Sequence, residues 1–230
     1  MIVRTFLVGA ILFAVTSVVV AQTTEFQSAL RRGDTLVAQE KYREAIEEYG
    51  QVSNRAGELY ARAIYNTGVC YYELWQTEEA VAFYKRAIEL KQGNYPRASY
   101  ALGVALEDQG RPAEARAAYE QAVSASNRHF GPAIYKLGLL AARASDFTKA
   151  AALFKEAASR EGEQVAASHN NLGVMLAQLG LMKEAEKEFV IALKASHGRF
   201  GDAEHNLNLC RSLTASSLRQ DYRIYKMSTN

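Results

Sequence analysis

Cysteine, proline and tryptophan are all scarce in this 230-residue sequence, with two, three and one copies respectively. Two cysteines cannot staple a small disulfide-rich domain. Three prolines, with no rhythm of short alternating strands and turns, argue against an all-β sandwich. Charge of one sign is also lacking: 27 Lys and Arg face 25 Asp and Glu, a formal +2. A protein that tracks nucleic-acid phosphates needs a concentrated basic face, so no nucleic-acid partner is expected. With 49% hydrophobic and 23% charged residues, the chain is too apolar and too balanced to remain disordered. Long apolar runs are missing as well, with one exception at the amino terminus.

That exception is Phe6 to Ala21, FLVGAILFAVTSVVVA, preceded by Arg4 and followed by the polar Gln22-Thr23-Thr24-Glu25. A basic start, a short apolar run and small residues before a polar exit describe a signal peptide over residues 1–21, with cleavage after Ala21. Sixteen residues fall short of the roughly 20 that a spanning helix needs. If the segment is not cleaved, it leaves the protein anchored by its amino terminus. Either outcome exports the remainder, to a periplasmic or secreted location, with no membrane insertion after cleavage. No cysteine stands at the cleavage site, which excludes a lipoprotein; the first cysteine is Cys70. Removal of the segment takes one Arg and no acid, leaving a net charge of +1.

Everything after residue 25 follows a 35-residue period. Glycine recurs at Gly33, Gly68, Gly103, Gly138 and Gly173, and alanine at Ala45, Ala80, Ala115, Ala150 and Ala185. An aromatic residue follows each alanine by four: Tyr49, Tyr84, Tyr119, Phe154 and Phe189. Small residues come three further on, at Val52, Ala87, Ala122, Ala157 and Ala192. Only 15 residues of the chain are glycine, so five in phase are not coincidence. Each period holds two helical patterns. In the second, Ile64, Thr67, Gly68 and Tyr71 share one face, and Ala80, Tyr84, Ala87 and Ile88 share another. A mid-helix glycine costs about 1 kcal/mol relative to alanine. Five such glycines imply a helix contact too close for a side chain, with the large aromatic filling the volume beside it. Pro96, Pro112 and Pro132 fall in the first turn of a predicted helix, where a missing N–H is harmless. Asp146 and Thr77 are predicted N-caps.

These residues resemble the tetratricopeptide repeat, a helix–turn–helix unit with a Leu-Gly pair, a central Ala, a large aromatic and a further Ala. Thr67-Gly68 through Ala80, Tyr84 and Ala87 carry the likeness, as do Leu102-Gly103, Leu137-Gly138 and Leu172-Gly173 with their following columns. The resemblance covers about residues 26–215. It implies an all-α, right-handed solenoid of five helix–turn–helix repeats (about 26–60, 61–95, 96–130, 131–165 and 166–200). A capping helix over 201–218 and a flexible tail over 219–230 follow. The period is one residue longer than the family's usual unit. The extra junction residue is often aromatic (Tyr60, Tyr95, Phe130, Phe200) and is expected to pack in the corner between repeats. The first unit departs further, with Arg32 before its glycine and Ala29 where a large residue is expected. In the cap, Asn208 and Arg211 replace the glycine and a large apolar residue, as suits a face with no helix to cover it.

A column of small residues (Ser28, Ala63, Ala98, Ala133, Ser168, Ala203) lets successive first helices approach. Two further columns read Leu30, Tyr65, Tyr100, Tyr135, Asn170, His205 and Asp34, Val69, Val104, Leu139, Val174, Leu209. In the family these positions line a concave groove that holds peptides. The resemblance therefore implies ligand contacts at Tyr65, Val69, Tyr72, Tyr100, Val104, Tyr135, Leu139, Asn170 and Val174, bounded by Glu73, Glu107, Asp108 and Arg143. Tyrosine suits such a wall, being rigid, large and able to hydrogen-bond at its tip. The alternative role for part of the column is to cover neighbouring helices. The Lys, Arg and Asn clamp that the family's chaperone-tail binders use is missing from Leu30, Asp34 and Tyr100, so a chaperone tail is not expected.

Other chemistry was sought in the residues and is not expected. His169 and His205 lie on consecutive first helices, but no further ligand is in phase to complete a metal site. Cys70 and Cys210 share a column four repeats apart, too far for a disulfide. No phosphate loop, nucleophile elbow or paired-acid site stands out. The expectation is an exported scaffold or adaptor that binds a protein or peptide partner, with no catalytic activity, cofactor or metal. The alternative is a glycan-binding module of the cell envelope, its tyrosines stacked on sugar rings.

Overall fold

The computed structural model describes residues 22–216. The signal-peptide segment 1–21 and the tail 219–230 lie outside the described residues, as do the last two residues of the expected cap. Among the described residues there are eleven α-helices and no strand. They are α1 (residues 22–38), α2 (Tyr42–Gly50), α3 (Glu58–Glu73), α4 (Thr77–Leu90), α5 (Pro96–Asp108) and α6 (Pro112–Ala125). There follow α7 (Gly131–Arg143), α8 (Phe147–Ala158), α9 (Gln164–Gln178), α10 (Met182–Ala195) and α11 (Gly201–Ser216). One 3₁₀ turn, Asn54–Ala56, precedes α3. The chain divides into two compact units at Gln109 and Gly110. In the first, α3 packs on α2, α4 and α5; in the second, α9 packs on α7, α8, α10 and α11.

The repeating glycine has a direct geometric cause. A Cβ added at Gly33 would lie 2.3 Å from the Tyr49 ring, at Gly68 2.8 Å from Tyr84, at Gly138 2.7 Å from Phe154 and at Gly173 2.6 Å from Phe189. In these four hairpins the aromatic ring of the second helix thus lies against the bare backbone of its own first helix. The rings are sealed there, with Phe154 and Phe189 at 0% exposure and Tyr49 and Tyr84 at 2%. Each such burial contributes about 1.5–3 kcal/mol. Ala45, Ala80, Ala150 and Ala185 complete the seam, all fully buried.

The turn inside each hairpin repeats too. Glu40, Trp75, Gly110, Ser145 and Gly180 all have positive φ, between 59° and 80°. That left-handed residue lets the next N–H reach back five residues, Gln76 to Tyr71 at 2.9 Å and Leu181 to Leu176 at 2.8 Å, which closes the orphan carbonyls of the helix end. Helix starts are mostly uncapped by side chains. Asp146 is an exception, its carboxylate accepting from the Lys149 N–H at 3.1 Å. Thr77 does not cap: it is the first helical residue of α4, and Gln76 occupies the cap position without a side-chain bond. Pro96, Pro112 and Pro132 do occupy first turns.

The first hairpin adds polar ties to its apolar packing. Arg32 donates to Glu48 at 2.9 Å and to Gln51 at 2.9 Å, joining α1 to α2. Ala29 beside it is fully buried. At the other end, Asn208 and Arg211 on α11 are exposed, and Arg211 pairs with Glu186 at 2.7 Å. Cys70 and Cys210 are buried and form no disulfide, and the Cys210 thiol donates to the Met182 carbonyl at 3.4 Å. No helix among the described residues is long and apolar enough to cross a membrane.

Candidate functional site

In the first unit the three first helices α1, α3 and α5 present one continuous wall. Side-chain bonds tie them together: Arg62 and Asn66 of α3 donate to Asp34 of α1, and Tyr72 of α3 donates to Asp108 of α5. Tyr65, Val69 and Tyr72 follow the i, i+4, i+7 spacing of one helical face. Tyr100 and Val104 repeat the first two positions on α5. All five are half-buried, leaving apolar and hydroxyl surface open to solvent.

The tyrosines are held rather than loose. The Tyr65 ring lies 5.9 Å from Tyr84 and 5.3 Å from Tyr95, both tilted contacts of the favourable kind. Tyr95 is one of the junction aromatics, so that extra residue does fill a corner, and it fixes a wall residue in doing so. Burial pushes the Tyr65 and Tyr100 hydroxyls above their ordinary range. Burial, then the hydrogen bond to Asp108, does the same for Tyr72. These groups therefore remain neutral donors at physiological pH.

Asp34 interrupts the apolar column at the edge of this wall. Its Oδ1 accepts from the Tyr49 hydroxyl at 2.9 Å and from Asn66 Nδ2 at 3.0 Å, while Oδ2 takes the Arg62 guanidinium. Beside it lies a cavity of about 180 Å³ lined by Asp34, Val37, Tyr49, Asn66 and Val69. Two larger clefts lie elsewhere, one between α1 and α2 along Arg32, Glu44 and Glu48, one along Arg116, Leu137, Lys149 and Leu153 in the second unit. Charges of both signs line each of them.

The second unit differs from the expectation. Tyr135, Leu139, Asn170 and Val174 are 3%, 2%, 0% and 2% exposed, so they are interior residues and not an open wall. A buried polar relay runs through this region. Asn206 Nδ2 donates to Asn170 Oδ1 at 2.9 Å, Asn170 Nδ2 to Asn171 Oδ1 at 3.1 Å, and Asn171 Nδ2 to the Tyr135 hydroxyl at 3.1 Å. The relay joins α11, α9 and α7 through the column that was expected to face a ligand. Tyr135 also packs its ring 5.6 Å from Phe154. Neither the relay nor the Asp34 hub was identified from the sequence. A signal existed for the relay, since Asn66, Asn171 and Asn206 stand in one 35-residue phase.

His169 is partnered by Glu188 at 2.7 Å, within one hairpin. Among the described residues no group of three His, Cys, Asp or Glu could hold a metal ion.

Comparison with known proteins agrees with the helical hairpins. The tetratricopeptide repeat model matches residues 30–96 and 135–198, and a second tetratricopeptide repeat model matches 96–129. No curated protein sequence gives a match. Among solved structures, a crystal structure of MamA shares 23% identity, covers 72% of this chain and 94% of that chain, and has a TM-score of 0.60. MamA from Desulfovibrio magneticus RS-1 shares 18% identity, with 76% and 97% covered and a TM-score of 0.60. YrrB, described as a TPR protein with an unusual peptide-binding site, shares 20%, with 83% and 91% covered and a TM-score of 0.56. At such identities the likeness speaks to the fold alone. With its family match over more than half the chain and its glycine-on-aromatic hairpins, this chain belongs to the tetratricopeptide repeat family.

Proposed function

We propose that the protein is an exported interaction scaffold that holds a peptide segment of a partner along the α1, α3 and α5 wall, without covalent chemistry. Arrays of this family serve in general as protein–protein interaction scaffolds. The observation that carries the finer reading is the half-exposure of Tyr65, Val69, Tyr72, Tyr100 and Val104 on one face, where the equivalent column of the second unit is closed. An apolar stripe with aromatic anchors suits an extended peptide, which offers its side chains to the stripe. The peptide-binding site named for YrrB lends this reading support by analogy of fold. Export rests on the basic, apolar and small-residue order of residues 1–21.

The test is capture of partners by the purified protein and by Tyr100→Ala combined with Val69→Ser. Both side chains are half-buried, so the variant loses some stability, and capture is compared at a temperature where its melting curve shows it folded. Loss of captured partners is expected. Unchanged capture removes the wall from the function. Amino-terminal sequencing of the exported protein should begin at Gln22, and a chain beginning at Met1 contradicts cleavage.

A further inference from the structure

The Asp34 cavity carries an inference of its own, resting on the peptide-wall reading. Its column is Val69 and Val104 in the neighbouring repeats and Leu139 and Val174 further on, so packing of the repeat does not require a carboxylate. A lone acid in an otherwise aliphatic column leaves the wall with one anionic end. At about 180 Å³ the cavity is far larger than the roughly 10–15 Å³ that a single water needs. Its walls are the methyl groups of Val37 and Val69 and the ring of Tyr49, and its polar end is Asp34 with Asn66. Aliphatic sides leading to a carboxylate match a side chain with a hydrocarbon stem and a cationic head.

The chain already supplies such a head. Arg62 reaches Asp34 from α3, yet its side chain is 52% exposed and Asp34 is 36% exposed. Exposed pairs of this kind are weak, typically below about 1 kcal/mol. The Tyr49 and Asn66 donors hold Oδ1 and orient the carboxylate, leaving Oδ2 to whichever cation is present. We propose that the Asp34 cavity receives the cationic side chain, lysine or arginine, of a peptide bound on the α1–α3 wall, which displaces the Arg62 guanidinium from Oδ2.

The test uses the full protein, isotopically labelled, with the Asn66 side-chain amide resonances as reporter. The probes are the blocked pentapeptide Ala-Ala-Lys-Ala-Ala and its counterparts with arginine, norleucine or glutamate at the centre. The lysine or arginine peptide should shift the Asn66 amide saturably, and the norleucine and glutamate peptides should not. Which of the two cationic peptides binds more tightly decides between an ammonium and a guanidinium head. Arg62→Ala removes the competitor and should tighten cationic-peptide binding about threefold, the scale set by a weak exposed pair. Asp34→Asn keeps the hydrogen bonds to Tyr49 and Asn66 but should abolish discrimination between the lysine and norleucine peptides. Equal response to norleucine, or no response to either cationic peptide in the Arg62→Ala protein, overturns the proposal. If partner capture then still depends on Tyr100, which does not line the cavity, only the cation pocket fails and the wall reading stands.

Discussion

Substitution of Gly138 by alanine sets two effects of opposite sign against each other. In an exposed mid-helix site the change would stabilise by about 1 kcal/mol through helix propensity. Here the new methyl would lie 2.7 Å and 2.8 Å from two carbons of the Phe154 ring. Carbon atoms rest at about 3.5–4.0 Å, so the ring must retreat by close to an ångström. It has nowhere to go, being 0% exposed on a seam where Ala150 and Ala157 are also fully buried. Overpacking of this kind costs about 1–3 kcal/mol, occasionally more, and a contact this short belongs at the upper end. The net expectation is destabilisation by about 2 kcal/mol, read as a fall in Tm of about 4–8 °C for an array of this size. Gly50→Ala is the control, because no atom lies within 4 Å of its added Cβ. It should leave Tm unchanged or slightly higher. Phe154→Leu should relieve part of the Gly138→Ala penalty, so the double variant loses less than the two single losses combined. A Tm that rises with Gly138→Ala, or strict additivity with Phe154→Leu, refutes the claim that the ring fixes the glycine.

Two further outcomes follow from buried groups. Ser168 is fully buried and its hydroxyl makes no hydrogen bond, while Ala63, Ala98, Ala133 and Ala203 fill the same column. Ser168→Ala should stabilise by about 1 kcal/mol by removing an unpaired hydroxyl, and a lowered Tm would show that the hydroxyl has a partner in solution. Burial pushes the Cys70 thiol from its ordinary 9.0 up to about 11. The unfolded thiol ionises first as pH rises, so stability falls between about pH 9 and 11 and is unaffected by this group below that window. The raised Tyr49 and Tyr84 hydroxyls act in the same direction. Cys70→Ala should therefore show a shallower loss of Tm from pH 9 to 11 than the parent, and parallel curves would contradict the assignment.

The repeat was legible because its causes are local and periodic. A glycine beneath an aromatic ring, an alanine on the seam and a left-handed turn residue each recur at one spacing, so the sequence shows them as columns. Side-chain hydrogen bonds across helices leave a fainter mark. Asp34 reads as a defect in an apolar column, and only its distances to Tyr49, Arg62 and Asn66 reveal a hub. Column membership also misjudges exposure. Tyr65, Tyr100 and Tyr135 are identical in sequence terms, yet the first two are half-buried and the third is closed in. What separates them is the partner that the neighbouring column supplies: Asn171 reaches the Tyr135 hydroxyl, whereas Tyr65 meets only rings.

The contrast between columns shows one repeat frame carrying a closed polar interior in one unit and a half-buried face in the other. A buried amide costs free energy unless each of its groups is paired, so asparagine in a helix interface is tolerated only as part of a complete chain of bonds. Asn206, Asn170, Asn171 and Tyr135 make such a chain and thereby fix the relative register of α7, α9 and α11, since a shift of α7 or α11 by one helical turn along α9 would break the bond that helix makes to it. Apolar contacts alone would tolerate that shift better, because leucine and valine pack against many neighbours of similar size. Where the column instead carries Tyr65, Val69, Tyr100 and Val104, these residues are half-buried, and the helices are tied beside them by Arg62 and Asn66 to Asp34 and by Tyr72 to Asp108. One repeat pattern thus accommodates both a closed, amide-locked column and a half-buried aromatic and aliphatic one, because the glycine-on-aromatic seam that holds each hairpin is independent of that column.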